Sequence, residues 1–193
     1  MWTLPQGKNG DLVTKPPFAP WGIPIYRGND VKEIELTQGK VTLVDDDMYE
    51  YLNQWNWHVL NAPNNRCYAI RNIRNNNGKW RTLGMHRVIM NAQVGQQVDH
   101  KDRNGLHNWR GNLRFCTSMQ NQANRGKGTG YSSQFKGVTW DKRGGKWQPQ
   151  IMVHGKHIYL GYFDDEADAA RAYNDAAIEH FSEFARLNVI EEA

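Results

Sequence analysis

The chain is poor in the features that would place it outside an ordinary globular class. Its 193 residues contain two cysteines, Cys67 and Cys116, far apart and neither in a C-x-x-C pair. That excludes a disulfide-stapled scaffold and a thiolate zinc centre. No apolar run approaches the ~20 residues of a membrane span, and no membrane partner is expected. The first ten residues hold no continuous apolar stretch, so no secretory leader is expected and the cytoplasm is the expected compartment. Mean hydropathy is low, at −0.80. Yet 11% of residues are aromatic, including 8 Trp, and that is not the composition of a disordered chain. The length suits one ordinary domain or two small ones.

Acidic residues are also scarce in one region. Residues 66–163 hold 3 Asp/Glu against 17 Lys/Arg, while the flanks hold 17 Asp/Glu against 7 Lys/Arg. The overall charge of +4 therefore hides a central block of +14. This block is interleaved with Trp80, Trp109, Trp140 and Trp147, the electrostatic footprint expected for a phosphate backbone. It is too long a basic surface for a single small phosphate.

Five of the seven prolines fall in residues 1–30, which reads as an extended arm. Residues 33–36 and 40–44 alternate as two strands joined at Gln38-Gly39. Asp45-Asp46-Asp47 precedes an aromatic and apolar run, which suits a helix N-terminus. Residues 57–60, 68–73 and 80–85 read as strands, with a turn at residues 75–78, and 86–90 as a short helix. The Gly- and Ser-rich stretch 126–134 reads as a linker. The expected plan is an arm (1–30), a first domain (31–125), the linker and a second domain (135–193).

Asp99-His100 closes a strand candidate over 96–100. A turn region begins at Asn104-Gly105, and 113–116 can form a second strand. Thr117 or Ser118 can then cap a helix carrying Asn121 and Asn124. Hydrolysis of a phosphodiester needs a base for water, a hard cation and donors that hold geometry. Neutral imidazole supplies the base near pH 7, and Asp and Asn oxygens suit Mg²⁺. Neighbouring residues on a regular strand face opposite ways. Asp99 and His100 can therefore serve one site only where the strand ends or bends.

Asp99-His100, the Asn-x-x-x-Asn-Leu-Arg stretch from Asn108 to Arg114, and the Asn-x-x-Asn helix from Asn121 to Asn124 resemble the HNH endonuclease module, the ββα-metal fold in its zinc-free version. The resemblance implies His100 as general base. It implies one Mg²⁺ or Mn²⁺ on Asp99 and Asn121, with no structural zinc. Asn112 is implied as the middle letter of the motif, orienting His100 or bracing the loop. Asn108 and Asn124 are assigned to structure, as are His86 and His107.

Residues 135–140, 146–153 and 157–163 read as three strands, and Asp164-Asp165-Glu166 as the start of an Ala-rich helix. Trp147, Pro149 and Ile151 point one way along the middle strand, and Lys146, Gln148, Gln150 and Met152 the other. Phe135-Lys-Gly-Val138, Trp147, Ile151, the stretch from Tyr159 to Phe163, Ala169-Ala170, Tyr173, Ala176-Ala177 and Asn188 resemble the APETALA/ethylene-response-factor DNA-binding domain. The resemblance implies a three-stranded antiparallel sheet packed on one helix, with its open face on DNA. Lys136, Lys142, Arg143 and Lys146 are the expected phosphate contacts, and Thr139, Gln148 and Gln150 the candidates for base contact. Thr139, Asp141, Gln150 and Met152 stand where plant members place arginines.

The expected whole is an α+β protein: a ββα-metal nuclease module with a β-rich N-terminal extension, then the sheet-and-helix reader. The combination resembles the HNH endonucleases of phages and mobile introns, which for a phage-encoded chain means a bacterial host cytoplasm. The expected partner is double-stranded DNA, bound by a monomer or a homodimer. The competing expectation is a non-catalytic DNA-binding regulator that retains a vestigial nuclease fold.

Overall fold

The computed structural model describes residues 30–191, apart from 64, 76 and 129. The Pro-rich arm lies outside the described residues but for its last position. The fold mixes short antiparallel sheets with four α-helices among the described residues. It divides into two compact units after Phe115.

The first unit opens with the hairpin β1 (Val31–Glu35) and β2 (Val41–Asp45). Its tight turn is at Gln38 and Gly39, both with φ near +64°, as the sequence predicts. Helix α1 (Asp46–Leu52) follows at once and buries Met48 and Leu52. A meander of β3 (His58–Ala62), β4 (Arg66–Arg74) and β5 (Trp80–Gly84) comes next, paired antiparallel in that order. It ends in the short helix α2 (Met85–Ile89). The core joins Ile34, Val44, Met48, Leu52, Trp55, Trp57, Ala69, Met85 and Ile89. Arg71 lies on this side of the sheet, its guanidinium carbon 3.9 Å from the Trp55 ring centroid, a cation–π contact that covers the cation with aromatic surface. The last pair is β6 (Gln97–His100) with β7 (Leu113–Cys116).

The acidic triplet does start α1, but not as a side-chain cap. Asp45 occupies the cap position without bonding the helix amides. Its Oδ2 accepts instead from the Arg110 backbone N–H at 2.8 Å. Asp47 receives the Arg110 guanidinium on both oxygens, at 2.8 and 3.0 Å. Burial pushes the Asp45 carboxyl up, and the Arg110 N–H and charge pull it back. The triplet therefore clamps the turn before β7, a long-range use that local helix rules do not foresee.

The second unit begins with helix α3 (Ser118–Asn124). Thr117 caps it: its hydroxyl accepts from Gln120 N–H, and Gln120 Oε1 accepts from Thr117 N–H, a capping box. Strands β8 (Val138–Asp141), β9 (Lys146–Val153) and β10 (Lys156–Tyr159) form a three-stranded antiparallel sheet with β9 central. Helix α4 (Glu166–Phe181) is capped by Asp165, which accepts from Ala167 and Asp168 N–H. It buries Ala169, Ala170, Tyr173, Ala176, Ala177 and Phe181. Val138, Pro149 and Ile151 are buried on the helix side of the sheet. Gly137 has φ +78°, and a Cβ there would lie 2.2 Å from the Tyr173 ring, so only glycine lets helix and sheet meet. Helix α3 packs within this unit through Ala123, which shares a cluster with Ile151, Tyr173 and Phe181.

Arg110→Met keeps the volume of a side chain that is 6% exposed and leaves two carboxylates without their cation. Stability should fall by about 3 kcal/mol, the scale of a broken buried ion pair. A urea unfolding midpoint unchanged from wild type would contradict the clamp.

Candidate functional site

Strand β6 stops at His100, and residues 101–112 loop back to β7. This loop is held against β2 by backbone bonds: Leu43 N–H to Leu106 O at 2.9 Å, and Asn108 N–H to Leu43 O at 2.7 Å. The Thr42 hydroxyl, fully buried, donates its single proton to Leu106 O at 2.7 Å. It must therefore accept from Asn108 Nδ2, at 2.8 Å. The other Asn108 amide proton goes to Gly105 O at 3.2 Å.

These two bonds fix which end of the Asn108 amide is oxygen. Its Oδ1 lies 3.1 Å from His100 Nε2, so Nε2 must carry the proton and donate. The neutral His100 ring consequently has its lone pair on Nδ1. The ring is 5% exposed. Burial lowers its pKa below the usual histidine range, against smaller upward pulls from the Asn108 bond, Asp102 and Asp99. The result is a neutral imidazole with a defined tautomer.

Asn112 does not hold the His100 ring. Its Nδ2 donates to Asp102 Oδ1 and to His107 O, both at 2.9 Å, and its Oδ1 accepts from Asp102 N–H at 3.1 Å. It braces the loop, the second of the two roles foreseen for it. Burial pushes Asp102 up, but bonds from Asn104 N–H, Asn112 and His107 outweigh this and hold its carboxyl below the usual range. His107 Nδ1 meets Asp102 at 2.5 Å and its ring packs on Trp109 at 4.9 Å, so His107 belongs to the same brace.

Asp99 has a different neighbour from His100. Its Oδ2 accepts from Arg114 Nε at 3.1 Å and Nη2 at 3.0 Å, and it is 8% exposed. Asn121 is carried by α3 in the second unit. The carboxylate of Asp99 and the amide oxygen of Asn121 are each hard donors of the kind that divalent cations take. Among the described residues no group of three or more His, Cys, Asp or Glu could hold a metal.

Two further rings stand against His100. His86 meets it edge-on with centroids 5.2 Å apart, and Tyr68 lies 6.0 Å away. The His86 ring lies over Gly84, where a Cβ would come within 2.6 Å of it. Its Nδ1 is buried with no hydrogen-bond partner among the described residues. Burial, with His100 and Arg87 adding to it, lowers the His86 pKa to about 3. The sequence offers no local sign of this cluster, because Tyr68 and His86 reach His100 only through the β4–β5 pairing. Asn108 was within the motif but assigned to structure, and its distinction from Asn112 comes from Thr42.

In the second unit the sheet register pairs Thr139 with Gln148 and Asp141 with Lys146. Thr139, Lys146, Gln148 and Gln150 therefore share the face opposite Val138, Pro149 and Ile151. Lys142 and Arg143 lie in the β8–β9 turn. Lys146 pairs with Asp164 at 2.9 Å. Lys136 is employed otherwise: its ammonium bonds Ala123 O and lies 5.9 Å from the Tyr173 ring centroid, which fastens α3.

No protein-family model matches the chain. It is 35% identical over 160 residues to an uncharacterized HNH endonuclease of Acanthamoeba polyphaga mimivirus, covering 80% of this chain and 78% of that protein. It is 53% identical over 47 residues to APETALA2-like protein 2 of Oryza sativa subsp. indica, covering 24% of this chain and 11% of that protein. It is also 44% identical over 59 residues to an AP2-like ethylene-responsive transcription factor of Arabidopsis thaliana, covering 31% of this chain and 12% of that protein. The chain spans about a tenth of the length of these plant relatives.

Two measurements test the ring assignments. Imidazole ¹⁵N NMR should show His100 as the Nε2–H tautomer with a midpoint below 6.5. In Asn108→Asp the new carboxylate should raise that midpoint, and a drop would contradict the bond. For His86, folded and unfolded states are both neutral above pH 6.5. Below it the unfolded chain takes up a proton that the folded chain refuses until about pH 3, so stability falls as pH falls through this window. His86→Leu should flatten the decline in Tm between pH 6.5 and 4; an unaltered slope would be the contrary result.

Proposed function

The chain belongs to the HNH endonuclease family, and from that premise we propose that it hydrolyses phosphodiester bonds of double-stranded DNA through a ββα-metal module spanning β6, β7 and α3. The observation that carries this reading is the His100 ring, seated with Nε2–H on Asn108 and its lone pair on Nδ1. His100 Nδ1 takes the proton of the attacking water, and Asn108 Oδ1 accepts a stronger hydrogen bond as the ring becomes cationic. Burial keeps the ring neutral before that step, so it does not lose its base function to prior protonation near neutral pH. Asn112, Asp102 and His107 hold the loop that presents it. Arg114 orients the Asp99 carboxylate. A Mg²⁺ or Mn²⁺ ion held by Asp99 and Asn121 would stabilise charge on the phosphoryl and leaving oxygens. One such site cuts one strand, so a monomer nicks.

The second unit supports the choice of DNA. Its sheet-and-helix order and its similarity to APETALA2-like proteins suit a sequence reader. Thr139, Gln148 and Gln150 are the proposed base contacts, and Lys142, Arg143 and Lys146 the proposed phosphate contacts.

Supercoiled plasmid incubated with Mg²⁺ or Mn²⁺ should be relaxed by wild type, and His100→Ala should slow this by about 10²–10⁴-fold, the contribution of a general base. Binding to the same plasmid should survive the substitution. Wild type that binds plasmid and never cuts it would favour the regulator reading, and His100→Ala cutting at the wild-type rate would refute the proposed base.

A further inference from the structure

We propose that the face of the β3–β4–β5 sheet bearing Asn72, Arg74, Trp80 and Thr82 is a second DNA-contact surface, which holds the substrate backbone to one side of the scissile phosphate. The identity of the substrate rests on the nuclease reading above; the surface itself lies wholly within the first unit.

The register defines the face. Arg74 pairs with Trp80, Asn72 with Thr82, and Ile70 with Gly84. Directly opposed residues of an antiparallel pair point to the same side. Tyr68, Ile70, Asn72 and Arg74 therefore line up with Gly84, Thr82 and Trp80. The reverse face carries Ala69 and Arg71 into the core beside Trp55 and Trp57.

One end of this face is the catalytic cluster. The His86 ring lies on Gly84, with the rings of His100 and Tyr68 beside it. The other end is a stacked pair: Trp80 is 64% exposed, and the Arg74 guanidinium carbon sits 4.8 Å from its ring centroid. Between them Asn72 and Thr82 are exposed. Four strand steps separate Gly84 from Trp80, about 13 Å at ~3.3 Å per step. That is about four nucleotide steps at ~3.4 Å each.

Charge selects the occupant. Residues 66–98 contain no Asp or Glu, so no acid opposes Arg74 on this face, while Arg71 and Arg81 stand on the reverse one. An acid-free face ending in an arginine laid on an exposed tryptophan matches a polyanion with flat rings and sugar edges. An isolated exposed Trp is ordinary on a protein surface. This one is paired with a cation, and its face leads to the catalytic ring.

The test uses the full chain carrying His100→Ala, so that bound DNA stays intact, and a labelled 30-bp duplex of random sequence. Adding Arg74→Ala and Trp80→Ala together should weaken binding about tenfold, and lower the slope of log affinity against log salt by about 0.9, one phosphate contact. Arg81→Ala removes the same charge from the opposite face and should change affinity less than twofold. Thr82→Glu, an exposed change that spares the stacked pair, should weaken binding as well. If the Arg74 and Trp80 variant binds like its parent, or loses no more than Arg81→Ala, the surface is refuted. Plasmid nicking is scored separately, without the His100 change. Nicking by wild type with no binding loss at Arg74 and Trp80 overturns the surface and leaves the nuclease reading intact. Binding loss with no nicking by wild type upholds the surface and overturns the nuclease reading.

Discussion

The Asn108 side chain has no exposed surface, and a buried primary amide must spend two donors and satisfy an acceptor. Thr42 and Gly105 take the donors, and His100 supplies the proton for the oxygen. Reversing the amide would set its oxygen against the Gly105 carbonyl oxygen and leave that carbonyl unsatisfied. The position of the His100 ring and the location of its lone pair thus follow from a hydroxyl on β2. This gives the β-rich extension a chemical role: β2 lends both a backbone edge and Thr42 to the loop that follows His100. A nuclease motif cut free of that hairpin would keep its letters and lose the partner that sets its tautomer.

The same economy governs charge. Asp99 and Asp102 are the two acids between residues 66 and 125, and both are spoken for. Arg114 holds Asp99 through a fork, and Asn112, Asn104 and His107 hold Asp102. The charge of Asp99 is matched by Arg114, and Asp102 is fixed within the loop that it braces. The two histidines behave in the complementary sense. Burial makes both reluctant to protonate, which is what the proposed base role of His100 requires. Basic surface and neutral imidazole are separate requirements, and the fold meets them with different residues.

Much of this order is local and was legible in the residues. The Gln38-Gly39 turn, the Thr117 cap, the strand ending at His100 and the two faces of β9 each follow from periodicity, turn chemistry or capping. What was not legible depends on distance in sequence. Asn108 and Asn112 are the same residue type four apart, yet one holds the imidazole and the other the loop, because Thr42 lies beside only one of them. The acidic triplet at 45–47 looks like a helix cap and instead binds Arg110, whose backbone N–H is out of reach of any local rule. Lys136 looks like a phosphate contact in a basic segment, but the C-terminal carbonyl of α3 and the Tyr173 ring claim its ammonium. Tyr68, His86 and His100 come from β4, α2 and β6, so only the tertiary fold brings their rings together.

The division of labour between the two units follows from where their cations go. On the open face of the second unit Lys146 is paired with Asp164, Lys136 is turned to its own fold, and Gln148, Gln150 and Thr139 are neutral. The neutral groups of this face suit base edges, and Lys142 and Arg143 in the β8–β9 turn stand at its margin. Affinity for DNA is dominated by phosphate neutralisation, whereas base contacts mainly discriminate. Residues 66–98, on the unit that carries His100, hold six Lys/Arg and no acid, and residues 126–163 of the second unit hold six Lys/Arg and one acid. Under the proposed nuclease function both units would hold the phosphate backbone, while the neutral groups on the open sheet of the second unit would do the discriminating. Loss of Thr139, Gln148 and Gln150 would then relax the choice of sequence, and loss of the surrounding cations would weaken binding to every sequence alike.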